Sequence, residues 1–186
     1  MKKLLFVNAC IRENSRTEAL ARRYLEKIKD GYQIEEVKAS ELDICPFDAA
    51  ALKKRDSDIA RGNLGPENYP LAHQFAGADL VVLAAPYWDC LFPAVLKVYL
   101  EQICVAGITF AYGENGSLVK TCRAEQMIYL TTCGGFLPGP SALEGFVREL
   151  GQLFSIGDVR FYAAEGLDIY PDSVQEKLTE ALAQMQ

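Results

Sequence analysis

Two large aromatic side chains directly follow a short apolar segment near the middle of the chain. Residues 80–85 are all apolar and end at Pro86, which is typical of a parallel strand buried on both faces. Tyr87 and Trp88 come next. In open α/β sheets, ligands bind in the crevice beyond the carboxyl ends of the strands. The two rings suit a flat, partly apolar cofactor at that edge; the simpler alternative is that they cap the core.

Polar residues before the first predicted helix are suited to binding a phosphate. Arg12 and Arg16 supply cations. Ser15 and Thr17 supply hydroxyls, and the helix start supplies N–H groups that have no partner within the helix. The segment has neither the glycine pattern of dinucleotide folds nor the Gly-Lys-Ser/Thr of triphosphate loops. An ordinary helix cap at Asn14 or Ser15 is the alternative.

A third loop carries a hydroxyl and paired glycines. Thr132 ends an apolar segment, and Cys133, Gly134 and Gly135 follow it. Paired glycines allow positive φ and a close approach of the backbone to a ligand. Together, a phosphate loop, an aromatic loop and a glycine loop suit a ligand with a phosphate tail and a planar polycyclic head. Flavin mononucleotide (FMN) fits this description best.

Strand and helix patterns alternate along the chain and would bring these loops together. Strands are predicted at residues 3–8, 33–38, 80–85, 127–132 and 159–164. Helices are predicted at residues 15–29, 66–77, 93–105, 141–154 and 171–185. Residues 39–65 show no clear pattern, and the charged residues 53–56 are interpreted as a solvated face. The alternation predicts an α/β fold with a doubly wound five-stranded parallel sheet, order 2-1-3-4-5, in a single domain over residues 1–186.

Composition excludes several classes of protein. Half of the 186 residues are hydrophobic, which suits one full-sized core. The net charge of −6 argues against nucleic acid or an anionic membrane as the main partner. No apolar run approaches the ~20 residues of a membrane span, and polar residues soon interrupt the apolar start, so we expect a cytoplasmic protein.

The cysteines do not suggest a metal site. The six cysteines form no Cys-x-x-Cys pair, and His73 is the single histidine, so neither zinc nor a disulfide framework is expected. Most of these thiols should be buried. Cys90 and Cys133 lie in the predicted site loops, where either a packing role or a redox-sensitive role is open.

A longer series of motifs resembles a known family. Residues 85–88 are Ala-Pro-Tyr-Trp, and Pro93 and Leu96-Lys97 follow them. Residues 106–116 are Ala-Gly-Ile-Thr-Phe-Ala-Tyr-Gly-Glu-Asn-Gly, and Gly134-Gly135 and Ala164-Glu165-Gly166 come later. This order resembles the flavodoxin-like NAD(P)H:quinone oxidoreductases and FMN-dependent NADH-azoreductases, whose A-G-x-T-F-x-Y-x-x-x-G segment matches residues 106–116. The resemblance covers nearly the whole chain.

The resemblance implies a flavodoxin-like flavoenzyme that transfers hydride from NAD(P)H to a quinone, azo or related acceptor by a ping-pong mechanism. The flavin N5 carries the chemistry, so no catalytic side chain is predicted. The implied cofactor-binding residues are Arg12, Ser15, Arg16, Thr17, Pro86, Tyr87, Trp88, Asp89, Cys90, Thr132, Cys133, Gly134 and Gly135. The implied substrate pocket consists of Trp88, Phe47, Tyr112, Phe136 and Phe154.

Some residues depart from the family pattern. Azoreductases commonly have Asn and Phe where this chain has Asp89 and Cys90, and an arginine where it has Cys133. A carboxylate near the flavin would disfavour negative charge on it and lower its potential. One alternative is a flavodoxin-like electron carrier or a flavin-binding regulatory protein with little turnover; another is a fold that has lost its flavin. The sequence does not separate NADH from NADPH, nor one acceptor from another.

The helix predicted at residues 93–105 suggests a partner chain. Its apolar side chains cover more than one face: Val95, Leu96, Val98, Tyr99, Leu100 and Ile103. The helix is therefore either fully buried or shared with another subunit. The resemblance favours a homodimer in which one subunit covers the flavin of the other, with Phe47, Tyr112 and Phe154 as candidates for that cover.

Overall fold

Five parallel strands form the central sheet. The computed structural model describes residues 1–185, so Gln186, the last residue of the predicted domain, lies outside the described residues. The strands of this sheet are β1 (Lys2–Asn8), β2 (Tyr32–Lys38), β3 (Leu80–Ala84), β6 (Gln126–Thr132) and β7 (Asp158–Ala164). Two short strands, β4 (Ala111–Tyr112) and β5 (Leu118–Val119), lie between β3 and β6 in the chain. The sheet order is β2-β1-β3-β6-β7, which confirms the predicted 2-1-3-4-5 order; β4 and β5 form a separate antiparallel hairpin.

Helices cover both faces of the sheet. They are α1 (Arg16–Ile28), α2 (Ala49–Arg61), α3 (Pro70–Ala76), α4 (Ala94–Ile103), α5 (Ala142–Leu153) and α6 (Val174–Gln184). Side chains alternate along each strand, so Leu5, Val81 and Met127 pack in the core beneath α3, α4 and α5. Phe6 and Val82 pack in the core beneath α1 and α6. Among residues 1–185, no helix combines the length and the apolarity that a bilayer span needs.

The segment without a clear pattern contains a regular helix, so its interpretation as a solvated charged face was incomplete. Asp48 caps α2, with its Oδ1 accepting a hydrogen bond from Ala51 N at 2.8 Å. Gly62 ends α2 in the left-handed conformation, at φ +69°. The helix predicted at residues 66–77 begins later, at Pro70, whose fixed φ suits the first helical position.

Most of the apolar surface of α4 is buried within this one chain. Leu96, Tyr99, Leu100 and Ile103 lie in the core, where they pack with the residues of the sheet. Val95 and Val98 are only partly buried. The larger apolar side chains that α4 leaves for a partner chain are therefore these two valines.

Candidate functional site

A cavity of about 440 Å³ lies at the carboxyl edge of the sheet. The size is within the ~300–1,000 Å³ of small-molecule sites. All three predicted loops line it, together with a fourth loop that follows β7. The lining residues are Ile11, Arg12, Glu13, Asn14, Ser15, Arg16, Thr17, Pro86, Tyr87, Trp88, Thr132, Cys133, Gly134, Leu167 and Asp168.

The start of α1 forms one end of the cavity. Ser15 caps the helix, and its Oγ accepts a hydrogen bond from Glu18 N at 3.3 Å. Helix geometry leaves the first N–H groups, including those of Arg16 and Thr17, without a partner inside the helix. Thr17 Oγ1 lies 2.6 Å from Thr132 Oγ1, and both residues are buried, so this bond fixes α1 to β6. The helix start thus offers N–H groups, hydroxyls and a cation to an anion.

A tight hairpin holds the aromatic wall. Trp88 and Leu91 exchange two backbone hydrogen bonds, of 3.1 Å and 2.8 Å. Asp89 and Cys90 between them both have positive φ, at 48° and 67°, which is the pattern of a type I′ turn. Both residues are exposed at the tip of the turn, outside the cavity lining. The Asp89 carboxylate is therefore in contact with water. Screening by water weakens the effect that a carboxylate near the flavin was expected to have on the flavin's charge and potential.

Two polar groups lie at the aromatic wall formed by Tyr87 and Trp88: the charged guanidinium of Arg12 and the neutral phenol of Tyr87. The Arg12 guanidinium carbon lies 5.0 Å from the centroid of the Trp88 ring, within cation–π distance. Tyr87 N donates a hydrogen bond to Thr132 O at 3.0 Å, which fixes the aromatic loop to β6. Partial burial and the adjacent Cys90 thiol raise the pKa of Tyr87, so its phenol stays protonated at neutral pH.

The loop after β7 closes over the glycine loop. Leu167 N donates to Cys133 O at 3.2 Å, and Asp168 N donates to Gly134 O at 3.0 Å. Asp168 Oδ1 then pairs with Arg16 Nη1 at 2.6 Å. A Cβ atom at position 134 would overlap the Asp168 carboxylate, so a side chain there would displace that carboxylate from its present place. Sequence reasoning missed Leu167 and Asp168, although their position after the last sheet strand was an available signal.

The structure brings together most of the predicted cofactor-binding residues. Ten of the thirteen line the cavity: Arg12, Ser15, Arg16, Thr17, Pro86, Tyr87, Trp88, Thr132, Cys133 and Gly134. Asp89, Cys90 and Gly135 do not line it; all three are exposed. Within residues 1–185, no three His, Cys, Asp or Glu side chains come together as a metal site would require.

The predicted substrate-pocket residues are dispersed. Trp88 lines the cavity, but the assignment of Phe154 was wrong, because Phe154 is fully buried against Phe75, with ring centroids 4.7 Å apart. Phe47 lies in a separate groove, with the Arg55 guanidinium carbon 4.6 Å from its ring centroid. Tyr112 and Phe136 are on the surface, 65% and 59% exposed. Phe47, Tyr112 and Phe136 remain predictions, and for Phe47 and Tyr112 the prediction places them over the flavin of a second subunit.

The Cys133 thiol should react slowly despite its place in the cavity. Burial raises its pKa to about 11, and Sγ donates a hydrogen bond to Gly135 O at 3.1 Å. With that pKa, about 0.1% of the thiol is ionised at pH 8, and the thiolate is the nucleophile. We expect iodoacetamide to alkylate Cys133 at least about tenfold more slowly than the exposed Cys45. Peptide mass mapping over time checks this, and equal rates would contradict it.

The arrangement fits FMN at each of its parts. The start of α1 with Arg16 suits the phosphate, and Tyr87 and Trp88 suit a flat ring system. The backbone and hydroxyl groups from Thr132 to Gly134 suit a polar ring edge. Because position 134 has no Cβ, the Asp168 carboxylate occupies that space beside the glycine backbone.

Known proteins of similar length match nearly the whole chain. An FMN-dependent NADH:quinone oxidoreductase of Clostridium beijerinckii is 32% identical over 191 residues, covering 98% of this chain and 95% of the relative. A protein of the same name from Coprothermobacter proteolyticus is 29% identical over 193 residues, with the same coverage of both chains.

Solved structures share the architecture. The azoreductase of Bacillus anthracis str. Sterne superimposes with a TM-score of 0.83 at 25% identity, covering 99% of this chain and 96% of that one. An FMN-dependent NADH-azoreductase of Bacillus anthracis str. Ames Ancestor, solved in complex with FMN, has the same fold, with a TM-score of 0.79 at 20% identity, covering 98% and 97% of the two chains. A family model described as flavodoxin-like fold matches residues 2–186. The chain therefore belongs to the flavodoxin-like family that contains the FMN-dependent NADH:quinone oxidoreductases and the azoreductases.

Proposed function

We propose that this protein is an FMN-dependent oxidoreductase that uses NADH or NADPH to reduce a quinone, azo or related acceptor. One observation carries the proposal: a single cavity joins an anion-binding helix start to an aromatic wall. Relatives of matching length, named FMN-dependent NADH:quinone oxidoreductases, support the same activity. They favour an enzyme over an electron carrier.

The chain's own residues bind and orient, and they leave the electron chemistry to the cofactor. When bound, FMN supplies hydride transfer at its N5. The N–H groups at the start of α1, the hydroxyls of Ser15 and Thr17, and the Arg16 guanidinium would hold the phosphate. Tyr87 and Trp88 would lie along the flat ring and exclude water from one side of it. No protein acid or base is needed for this role.

We infer that donor and acceptor use the cavity in turn. Tyr87 and Trp88 would cover one side of the bound ring, so both planar reactants would have to use its other side in turn. Initial rates with NADH and a small benzoquinone should therefore give parallel double-reciprocal plots, as ping-pong kinetics requires. Intersecting plots would show simultaneous binding and contradict the mechanism. Slow NAD(P)H oxidation with every acceptor would favour the carrier instead.

A direct test of the cofactor uses purified protein reconstituted with FMN and then desalted. We expect flavin absorbance near one equivalent per chain, because phosphate and ring contacts act together. Loss of all flavin on desalting, with no NADH oxidation when FMN is added back, would overturn the proposed function.

We further propose a homodimer with the cofactor at its interface. The partly buried Val95 and Val98 on α4 and the exposed Tyr112 and Phe136 are apolar surface available to a second copy. A two-fold interface of this kind should bury more than ~1,000 Å². We also propose that the protein works in the cytoplasm on small molecules rather than on nucleic acid or membranes. All six cysteines are free thiols, which suits a reducing compartment, and the chain is acidic.

A further inference from the structure

An ion pair spans the phosphate end of the cavity. Arg16, the first residue of α1, and Asp168, after β7, both line the cavity, and their Nη1 and Oδ1 atoms are 2.6 Å apart. Their side chains are 42% and 73% exposed. Exposed ion pairs are weak, because water screens them and two long side chains lose freedom. A stronger anion in the cavity can therefore take the arginine from Asp168.

The Asp168 backbone is held in place independently of the arginine. Asp168 N donates to Gly134 O, and the preceding Leu167 N donates to Cys133 O. The absence of a side chain at Gly134 gives the carboxylate its place. If the arginine turned to another anion, this part of the loop would still hold Asp168 at the cavity. Its negative charge would then lie close to that anion.

The helix start and Arg16 are also the groups best suited to a phosphate. A phosphate monoester carries about −1.5 to −2 charges at neutral pH and forms strong, often bidentate bonds with arginine. Asp168 would both compete for that arginine and repel the phosphate. The other charged lining residues are Arg12 and Glu13, and Arg12 lies over Trp88.

We propose that Asp168 is a specificity-determining residue that competes with the FMN phosphate for Arg16. The competition weakens the binding of FMN and leaves the binding of a flavin without a phosphate unchanged. The FMN is therefore easier to exchange than it would be without Asp168. This inference rests on the proposed function, because it takes FMN as the ligand.

The test compares FMN with riboflavin, which has the same ring and no phosphate. Dissociation constants are measured by flavin fluorescence quenching at one fixed salt concentration. Asp168→Asn should lower the dissociation constant for FMN about tenfold. It should leave the dissociation constant for riboflavin within about twofold of the wild-type value. Asp172→Asn is the matched control, since it removes the same charge from an exposed acid of the same segment, outside the cavity lining. It should change neither constant by more than about twofold.

A double-variant cycle separates competition from simple repulsion. Arg16→Gln alone should weaken FMN about tenfold, because it removes a charged partner of the phosphate. In the Arg16→Gln background, Asp168→Asn should improve FMN binding by about threefold or less, because no arginine remains to be released. An equal improvement in both backgrounds would overturn the competition for Arg16.

The outcomes also separate this inference from the proposed function. Wild-type protein that binds neither flavin would overturn both. Wild-type protein that binds FMN, with Asp168→Asn binding it equally or more weakly, would overturn only the competition. A gain in affinity shared by FMN and riboflavin would also overturn it, since the effect would not act through the phosphate.

Discussion

Replacing Ser15 by Ala and Thr17 by Val together should weaken FMN binding by about 2–4 kcal/mol, or roughly 30- to 800-fold. Each hydroxyl is placed to donate one hydrogen bond to a charged oxygen. Because Thr132 can donate to Thr17 Oγ1, the Thr17 proton remains available for the phosphate. Valine keeps the shape of the buried Thr17 side chain. Fluorescence titration with FMN measures the loss, and riboflavin binding should change little.

A second serine in the chain provides the control for this experiment. Ser141 caps α5 as Ser15 caps α1, with its Oγ accepting a hydrogen bond from Glu144 N at 3.4 Å. Ser141→Ala should cost about 1 kcal/mol of stability and leave the FMN affinity unchanged. An equal loss of FMN in Ser141→Ala would show that destabilisation alone accounts for the effect. Full retention of FMN by the Ser15, Thr17 double variant would show that the phosphate lies elsewhere.

The sheet could be predicted because its strands have a strong local signal. Strand β3 is buried along its whole length, so it is a continuous apolar segment, and its neighbours β1 and β6 are similar. The handedness of crossover connections then leaves few possible strand orders. The hairpin of β4 and β5 was missed because two-residue strands are too short to show a period.

Helix α2 was missed for a different reason. The charges at residues 53–56 lie inside the helix and obscure its amphipathic pattern. Its ends were nevertheless marked, by Asp48 at the start and Gly62 at the end. Capping residues would have located this helix, whereas periodicity alone did not.

The lining of the cavity could be predicted where a loop follows directly on a strand. Ser15, Trp88 and Gly134 were found in this way. Asp168 was missed because it enters the cavity only when the loop after β7 hydrogen bonds to the glycine loop, a long-range event without a local pattern. Cys90 lies at the exposed tip of a turn, outside the cavity lining, and this turn was not recognised because Cys90 occupies a position where glycine is usual.

Leu100→Glu should unfold the chain rather than merely separate two subunits. Leu100 is 2% exposed and packs in the core within one chain, so a glutamate there would bury an unpaired charge. The expected loss is at least about 4 kcal/mol, a large part of the ~5–15 kcal/mol that holds such domains folded. Urea denaturation followed by circular dichroism measures it. A folded, monomeric Leu100→Glu protein would contradict this packing of α4.

Val98→Glu tests whether two chains associate through α4, which Leu100→Glu cannot test because it should unfold the chain. Val98 lies on the same helix but is partly exposed, so a glutamate there can reach water and leave the core intact. If the proposed dimer uses α4, sedimentation at micromolar concentration should show about 41 kDa for the wild type and the 20.6 kDa of one chain for Val98→Glu. Val98→Ile, which keeps the surface apolar, should remain dimeric. A Val98→Glu protein that stays dimeric would place the interface elsewhere, since a charge desolvated between two copies of α4 has no partner to offset its cost.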